Sequence, residues 1–490
     1  MAHRLIECHI WCGVGADLDF TFLKAGCSLH TNGTHKLDQL YGKKVAVLGF
    51  ARQGKALARW LPTIGARVLV SDSRPAEKLA SETAQFPDIE FVLGGHPETM
   101  LDGVDLLCIS GGVALDLPIV IAAIQRRIPI TNDAQLFLER SPAPVIGITG
   151  SAGKTTTTTL TGEILKRAGM TTWVGGNIGD VLLDVLPQIK RDDVVVMELS
   201  SFQLELMTSS PRLGVILNVT PNHLDRHGTM DNYLRAKANM IAHQGASDTA
   251  VLGYDDPISH SLSESVVGNL VWFSGQAMVA DGAFMAGQRL LVVGRSSTDG
   301  DPHIVCGRDD VPLRGDHNVL NVLAACAITG ASGVSADIME ATIRDFKPVP
   351  HRLEVVRVVN DVTYINDSIA TAPERVVAAL KSFSEPVVLL AGGKDKNLPW
   401  EEMIRLALSK SRHIIAFGDA GEIVLNMVKQ VSGSTDAVTR VQTLDEALAK
   451  AVELAKPGDV VLLSPGGTSY DAYIDFAARG EHFRQLVMNL

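Results

Sequence analysis

The 490-residue sequence has no long hydrophobic run. No apolar stretch approaches the roughly 20 residues that a helix needs to span a bilayer. The amino-terminal residues also lack the extended apolar core and the cleavage site of a secretory signal. Internal repeats and low-complexity segments are absent as well. We therefore expect a cytoplasmic protein with no membrane insertion.

The sequence also lacks an excess of positive charge, and it has no second cysteine pair that would complete a metal site with Cys8 and Cys12. Its formal net charge of -11 argues against a general binder of nucleic acid or of anionic membranes, although local basic sites for phosphate groups stay possible. Its six cysteines are scattered, as expected for reduced, mostly structural thiols. With 46% apolar and 20% charged residues, the composition is that of an ordinary globular protein. The length suggests about three domains.

The most informative stretch is residues 147–156, Gly-Ile-Thr-Gly-Ser-Ala-Gly-Lys-Thr-Thr, which follow an apolar run and precede a helical pattern. This order of strand, glycine loop and helix is typical of a phosphate-binding loop, because backbone N–H groups and a helix amino terminus attract oxyanions. Lys154 would reach the outer phosphates, and the Thr155 hydroxyl would bind magnesium. The glycines recur every third residue instead of at the usual P-loop spacing. An ordinary glycine-rich turn is the alternative, but the order of the elements favours an ATP or GTP site.

The region that starts at residue 43 alternates between strands and helices. A buried strand at 45–50, a helix at 54–61 and a second strand at 67–72 form a Rossmann-like unit. Its turn, Gly-Phe-Ala-Arg-Gln-Gly at 49–54, lacks the middle glycine that lets a dinucleotide pyrophosphate approach the backbone. NAD binding and dehydrogenase activity are therefore disfavoured, although a different nucleotide could bind at these strand ends.

Two proline-containing stretches, at 139–144 and 348–352, indicate domain boundaries. The predicted fold class is α/β with three domains. These are a Rossmann-like N-terminal domain at 41–140, a central P-loop ATPase domain at 141–349 and a Rossmann-like C-terminal domain at 350–490. Residues 1–40 fit no pattern, and we treat them as an uncertain N-terminal extension from which we derive no function.

Polar side chains follow the buried strands of the central domain. Glu198 ends one of these strands, and the carboxyl ends of parallel strands are where α/β proteins bind ligands. It could therefore hold a magnesium ion that bridges ATP phosphates, with a capping or ion-paired glutamate as the alternative. His223 and His227 have the spacing of a metal-binding pair on a helix, although such a pair is more often ordinary polar surface.

A helix predicted at 230–241 would place Lys237 on the same inward face as Tyr233. A desolvated lysine has a lowered pKa and can react with carbon dioxide to form a carbamate, which is an anionic metal ligand. The alternative is a surface lysine whose ammonium group reaches water. On a later helix, Asn318 and Asn321 could bind the edge of a nucleobase, although amino-terminal capping alone would explain Asn318.

Strand ends of the C-terminal domain also carry polar groups, which could converge on a small charged substrate. They are Asp367 and Ser368, residues 394–396 (Lys-Asp-Lys), and Thr468 and Ser469.

Together, these motifs and their intervals resemble the Mur ligase family over nearly the whole chain from about Lys43. The P-loop followed by Glu198, His223 and Lys237 is specific to that family. The runs Gly-Gly-Asn-Ile-Gly and Glu-Leu-Ser-Ser-Phe-Gln-Leu favour its glutamate-adding branch. The other matching positions are residues 218–220 and 223–226, Tyr233, His317, Asn318 and Asn321, and residues 350–354, 366–368 and 463–465.

The resemblance implies roles in nucleotide and metal binding. The catalytic residues would be Lys154, His223, Lys237 and Arg352, with Arg352 on the γ-phosphate. The residues that bind ATP would be Gly150, Ser151, Ala152, Gly153, Lys154, Thr155, Thr156, Asn318, Asn321, Arg352 and Asp367, with adenine at the two asparagines. Two magnesium ions are expected, one at Thr155 and Glu198 and one at His223 and a carbamylated Lys237.

The resemblance also implies substrate sites. The first domain would bind the UDP end through Arg52, Gln53, Asp72 and Ser73. Asn177 would lie near the muramoyl part. The pocket for incoming glutamate would contain Thr371, Lys396, Ser469 and Phe476.

The implied activity is ATP-dependent addition of D-glutamate to UDP-N-acetylmuramoyl-L-alanine through an acyl phosphate, by a monomer that contributes to peptidoglycan synthesis, cell shape and cell division. A Mur-type ligase with another amino acid, such as L-glutamate, or with another acceptor is the alternative. A P-loop regulator without catalysis is a more distant one. The sequence departs from the family pattern at Ala152, Ile369 and Ala372, and at residues 466–468.

Overall fold

Three β-sheets, arranged one after another along the chain, organise a mixed α/β molecule. The structure is a computed structural model that describes residues 37–179, 181–313, 315–347, 350–396 and 398–490, with only the backbone of Asp225. The predicted N-terminal extension falls mostly outside these residues. Within them, no helix combines the length and the apolar character needed to cross a membrane.

The first sheet has five parallel strands: β1 (Lys44–Leu48), β2 (Arg67–Asp72), β3 (Glu90–Leu93), β4 (Leu106–Ile109) and β5 (Ile130–Thr131). Its helices are α1 (Arg52–Thr63), α2 (Ala76–Thr83), α3 (Pro118–Gln125) and α4 (Asp133–Arg140). The strand order is β3-β2-β1-β4-β5. The apolar central strand β1 is buried, as expected for a parallel strand covered on both faces.

The central sheet has nine strands: β6 (Val145–Thr149), β7 (Thr172–Gly176), β8 (Val194–Glu198), β9 (Leu213–Ile216), β10 (Thr249–Gly253), β11 (Asn269–Ser274), β12 (Gly282–Ala286), β13 (Arg289–Val293) and β14 (His303–Gly307). Their order is β14-β13-β12-β11-β10-β9-β6-β8-β7. Strands β12, β13 and β14 pair antiparallel, and the other neighbours are parallel. Because β6 lies between β9 and β8, the loops that follow these three strands meet at one edge of the sheet.

The helices of the central region are α5 (Lys154–Arg167), α6 (Leu182–Val185), α7 (Ser201–Leu204), α8 (Leu224–His227), α9 (Met230–Ala238), α10 (Pro257–Ser261), α11 (Asp316–Ala331) and α12 (Ala336–Asp345). Leu160 and Ile164 of α5 share a buried apolar core with Val322 and Ile328 of α11. This packing brings the amino-terminal turn of α11 beside the glycine loop that precedes α5.

The third sheet has six strands: β15 (Glu354–Val359), β16 (Val362–Asn366), β17 (Val387–Gly392), β18 (Ser411–Phe417), β19 (Val438–Arg440) and β20 (Val460–Gly466). Their order is β15-β16-β20-β17-β18-β19, and only β15 and β16 pair antiparallel. The surrounding helices are α13 (Pro373–Lys381), α14 (Glu401–Lys410), α15 (Gly421–Ser432), α16 (Leu444–Leu454) and α17 (Phe476–Met488).

One continuous apolar core joins the first sheet to the central one. It includes Leu57 and Leu61 of α1, Phe137 of α4, and Leu182 and Leu204 from the central region. Burial of apolar surface between these elements holds the first domain against the central domain.

The predicted α/β fold with three domains is confirmed. The predicted strand at 67–72 is observed as β2, and the predicted strand at 45–50 is observed as β1, two residues shorter at its carboxyl end. The predicted helix at 230–241 ends earlier, at Ala238. The domain boundaries stay predictions, although each sheet falls within one predicted domain.

Candidate active site

Gly153 ends the glycine loop between β6 and α5. Its φ of 84° lies in the left-handed region, which glycine adopts without strain. A Cβ at this position would lie 2.1 Å from Oδ1 of Asn321. Lys154 then begins α5, and the first N–H groups of a helix have no acceptor within it. These groups can therefore bind phosphate oxygens.

Side chains from the neighbouring strand and helix hold the loop in shape. Asn218 donates from Nδ2 to the carbonyl of Ala152 at 3.2 Å, and its Oδ1 accepts from the Ala152 N–H at 2.9 Å. The Ser151 hydroxyl donates to the Thr220 carbonyl at 2.9 Å and lies 2.9 Å from the Tyr233 hydroxyl. Because these bonds fix the first half of the loop, the phosphate-binding groups are preorganised.

Glu198 is buried at the carboxyl end of β8, with an exposed fraction of 1%. Its Oε2 accepts from the Thr155 hydroxyl at 2.9 Å, and its Oε1 accepts from Asn177 Nδ2 at 2.9 Å. The structure thus brings together the hydroxyl and the carboxylate that were predicted to bind magnesium, and both are ligand types that this ion prefers. Asn177, predicted near the muramoyl part, orients Glu198.

Lys237 points inward from α9 and has an exposed fraction of 1%. Its Nζ donates to the Thr149 hydroxyl at 3.3 Å and lies 4.8 Å from the centre of the Tyr233 ring. Burial, with the nearby charge of Lys154, lowers the pKa of Lys237 well below its usual range, against the opposing charge of Glu198. The inward orientation predicted from the helix pattern is confirmed, and the surface alternative is wrong.

The two histidines have different surroundings. His223 is exposed, with a left-handed φ of 55°, and its ring lies 5.1 Å from the Phe202 ring. His227 is buried and lies 3.0 Å from the Ser201 hydroxyl. Across the described residues, no three His, Cys, Asp or Glu side chains group to hold a metal ion. A second magnesium at His223 and Lys237 therefore stays a prediction.

Arg352 reaches the P-loop from the segment that precedes the third sheet. Its Nη1 donates to the Thr156 hydroxyl at 3.4 Å. Lys154 donates from Nζ to the Gly150 carbonyl at 2.9 Å. Burial lowers the pKa of Lys154 to about 8, against the charge of Glu198 and together with the charges of Arg375 and Arg352. Positive side chains from two domains therefore face the same loop.

Asp367 supports Arg352 from the carboxyl end of β16. Its carboxylate accepts from the Leu353 N–H at 3.2 Å and from the Ser464 hydroxyl at 2.8 Å. Burial raises the pKa of Asp367 to about 6, although these bonds and the charge of Arg352 oppose the shift. Asp367 therefore fixes the segment that carries Arg352.

A cavity of ≈ 830 Å³ opens between the three domains. The predicted site residues that line it are Arg52, Ser151, Ala152, Gly153, Lys154, Thr155, Asn177, Glu198, Asn318, Asn321, Arg352, Asp367, Thr371 and Phe476. A second cavity, of ≈ 640 Å³, has Ala143 and Val194 in its wall. None of its described lining residues is a predicted site residue. The larger cavity is therefore the candidate active site.

Asn318 and Asn321 are buried on α11, beside the glycine loop. Asn321 donates from Nδ2 to Oδ1 of Asn318 at 3.0 Å. Both asparagines line the cavity, and the cap residue of α11 is Gly315, three residues before Asn318. Their predicted contact with adenine stays a prediction.

The predicted UDP-binding residues lie at the carboxyl ends of β1 and β2, two neighbouring parallel strands of the first sheet. Arg52 donates to the carbonyls of Gly176, Asn177 and Gly179, at 3.1, 2.9 and 2.6 Å, and so joins the first domain to the central domain. Asp72 accepts from the Phe50 N–H at 2.7 Å and pairs with Arg74 at 2.9 Å. Against the effect of burial, these donors lower the pKa of Asp72 to about 2.

Gln53 lies half-buried on α1, and Ser73 is exposed just after β2. Neither residue lines the larger cavity. The UDP-binding roles of all four first-domain residues stay predictions.

The residues predicted to bind glutamate lie at the carboxyl ends of the third sheet. Lys396 donates from Nζ to the Thr371 hydroxyl at 3.4 Å. Ser469 is buried, and the Phe476 ring lies 6.3 Å from the His351 ring. Thr371 and Phe476 line the cavity, whereas Lys396 and Ser469 do not. Their role also stays a prediction.

Sequence reasoning missed Arg479, which is fully buried on α17. Its guanidinium donates to the Ser368 hydroxyl and carbonyl at 3.0 and 2.9 Å, and to the carbonyls of Gly467 and Thr468 at 3.2 and 3.0 Å. It thus ties together the loops after β16 and β20. Its sequence signal was weak, because a single arginine in an amphipathic helix usually faces water.

Comparison with known proteins identifies the arrangement. Three family descriptions match in order: the Mur ligase MurD-like N-terminal domain at residues 43–132, the Mur ligase middle domain at 148–329, and the glutamate ligase domain of Mur ligases at 351–467. A UDP-N-acetylmuramoylalanine--D-glutamate ligase from Pelotomaculum thermopropionicum is 40% identical over 453 residues, which cover 91% of this chain and 98% of that protein. The chain belongs to the Mur ligase family.

A second protein of the same name, from Alkaliphilus oremlandii, is 39% identical with the same two coverages. Among solved structures, the Mur ligases MurC from Thermotoga maritima and MurF from Acinetobacter baumannii align with TM-scores of 0.57 and 0.56. The alignment with MurC covers 91% of this chain and 99% of that chain at 20% identity. The alignment with MurF covers 93% of this chain and 92% of that chain at 19% identity. They support the Mur ligase fold.

We expect Gly153→Ala to weaken nucleotide binding strongly and to lower stability. The new Cβ would clash with Asn321 at a φ that alanine rarely adopts. Gly433→Ala is the matched control, because Gly433 has a φ of 76° and no atom within 4 Å of the added Cβ. The control should cost only about 1 kcal/mol of backbone strain. Thermal denaturation and ATP titration measure both effects, and equal losses in the two variants would contradict this account of the loop.

Proposed function

We propose that this Mur ligase joins D-glutamate to UDP-N-acetylmuramoyl-L-alanine with cleavage of ATP, in the synthesis of peptidoglycan precursors. The observation that carries the proposal is one cavity to which all three domains contribute. Lys154 of the P-loop and Arg352 of the C-terminal domain both lie on its wall. The named relatives, similar over nearly their whole length, support the choice of D-glutamate over other amino acids.

In the proposed first step, an oxygen of the alanyl carboxylate attacks the γ-phosphorus of ATP, and ADP leaves with the electron pair of the broken bond. Lys154 and Arg352 offset the negative charge that keeps a carboxylate and a phosphate apart. The product is an acyl phosphate. The amine of glutamate then attacks the carbonyl carbon of the acyl phosphate. Phosphate leaves, the nitrogen loses a proton, and the amide bond forms. Walls from three domains keep water away from the intermediate.

The residues present fit one magnesium ion directly. Thr155 and Glu198 would hold it, since their oxygens lie 2.9 Å apart at the P-loop. Magnesium would supply charge neutralisation at the phosphates when bound. His223 and a carbamylated Lys237 would hold a second ion, because the carbamate adds an anionic oxygen ligand that the free amine lacks. We also propose a cytoplasmic monomer that binds neither nucleic acid nor membranes.

The reaction is tested by phosphate release from ATP with magnesium and UDP-N-acetylmuramoyl-L-alanine, with D-glutamate, L-glutamate and other amino acids in parallel. We expect release, and a product heavier by one glutamyl group, with D-glutamate alone. Omission of the acceptor is the control. Product with L-glutamate alone would contradict the proposed stereochemistry, and a lack of product from folded, ATP-binding protein would contradict the ligase function with this acceptor.

Lys237→Ala should reduce activity on the order of a hundredfold or more, because the variant cannot form the anionic carbamate that would hold the second ion. Acetate or formate should restore part of it by occupying the vacated space. Exposed Lys78, on α2, provides the control Lys78→Ala, which should retain full activity.

A readout independent of catalysis uses NMR with ¹³C-labelled bicarbonate. We expect a carbamate signal in the wild-type protein and in Lys78→Ala that is missing in Lys237→Ala. A wild-type spectrum without this signal, or a folded Lys237→Ala protein that no carboxylate rescues, would speak against the carbamate.

A further inference from the structure

Arg375 is a positively charged residue in the wall of the larger cavity. It belongs to none of the sequence motifs, and the proposed mechanism gives it no role. It lies half-buried in the first turn of α13, just after the loop that contains Asp367. Its Nη1 donates to the Ile369 carbonyl at 3.2 Å, which holds the guanidinium over that loop. The guanidinium is thus fixed at the cavity by a backbone acceptor.

The surroundings of Arg375 are rich in positive charge. Its charge lowers the pKa of both Lys154 and Arg352, in addition to the larger effect of burial. The amino terminus of α13 adds a partial positive charge of its own, so a cation in this first turn is disfavoured by the helix. Among the described side chains, none forms an ion pair with Arg375 that would offset this cost.

The negative groups near this cluster are few. Glu198 lies at the P-loop, Asp367 accepts from the Leu353 N–H next to Arg352, and exposed Glu374 precedes Arg375 on α13. Lys154, Arg352 and Arg375 therefore bring three positive groups to the cavity from the P-loop, the linking segment and α13, and Glu198 and Asp367 offset them in part. A strongly anionic ligand at the γ-phosphate end of the cavity would balance them.

We propose that Arg375 is a third contact to the γ-phosphoryl group, beside Lys154 and Arg352, as this group passes from ATP to the acceptor carboxylate. In that step the bond between the γ-phosphorus and the bridging oxygen of ADP breaks, and a bond to the carboxylate oxygen forms. The role of Arg375 during transfer of the γ-phosphoryl group rests on the proposed function. The contact to bound ATP does not, because it requires only the nucleotide.

The contact is tested by calorimetric titration of a non-hydrolysable ATP analogue and of ADP, each with magnesium and without acceptor. Arg375→Gln should weaken binding of the analogue about tenfold and binding of ADP less than twofold, as expected for loss of one charge-assisted contact to the γ-phosphate. Arg375→Lys should recover part of the loss. Arg405→Gln is the matched control, because Arg405 is exposed on α14 and, among the described residues, its one ion pair is with Glu401 on the same helix.

Equal weakening of both nucleotides, or of neither, would overturn the inference. A wild-type protein that binds neither nucleotide would overturn both the inference and the proposed function. In the complete reaction, Arg375→Gln should lower kcat about tenfold to a hundredfold with the KM for glutamate unchanged. A raised KM for glutamate with kcat retained would instead make Arg375 a glutamate contact and overturn the assignment.

Discussion

Positively charged side chains from two domains meet at one edge of the central sheet, and their mutual repulsion must be offset by the packing around them. The basic side chains of Lys154 and Arg352 are gathered at this edge, beside buried Lys237, and burial lowers the pKa of all three. Glu198 partly offsets this charge and is itself fixed by Thr155 and Asn177. Such a cluster is stable only because packed elements hold it in place, and it favours binding of a polyanion such as ATP.

The three domains supply these groups from separate parts of the chain. The central sheet provides the P-loop and Glu198, and the segment before the third sheet provides Arg352, which Asp367 holds in position. Arg52 connects the first domain to the loop after β7. A cavity built in this way is completed only when all three domains are in contact, which suits a reaction whose intermediate must be protected from water.

Much of this could be predicted from the sequence, because local patterns encode it. The glycine loop has a characteristic order of strand, turn and helix, and the helix period placed Lys237 inward, as observed. Arg479 and Arg375 could not be found in this way. Their roles depend on which loops the sheet order brings together, and no local pattern contains that information. Asp72 shows a similar limit, since its partner Arg74 is visible only in the folded turn.

We infer that the acceptor carboxylate itself takes the γ-phosphoryl group within this cavity. The most direct test uses UDP-N-acetylmuramoyl-L-alanine whose alanyl carboxylate carries ¹⁸O, with ATP, magnesium and D-glutamate, followed by mass spectrometry of the released phosphate. If an acyl phosphate forms, the phosphate carries one ¹⁸O atom from the acceptor. Phosphate without the label, released together with the glutamyl product, would contradict the account.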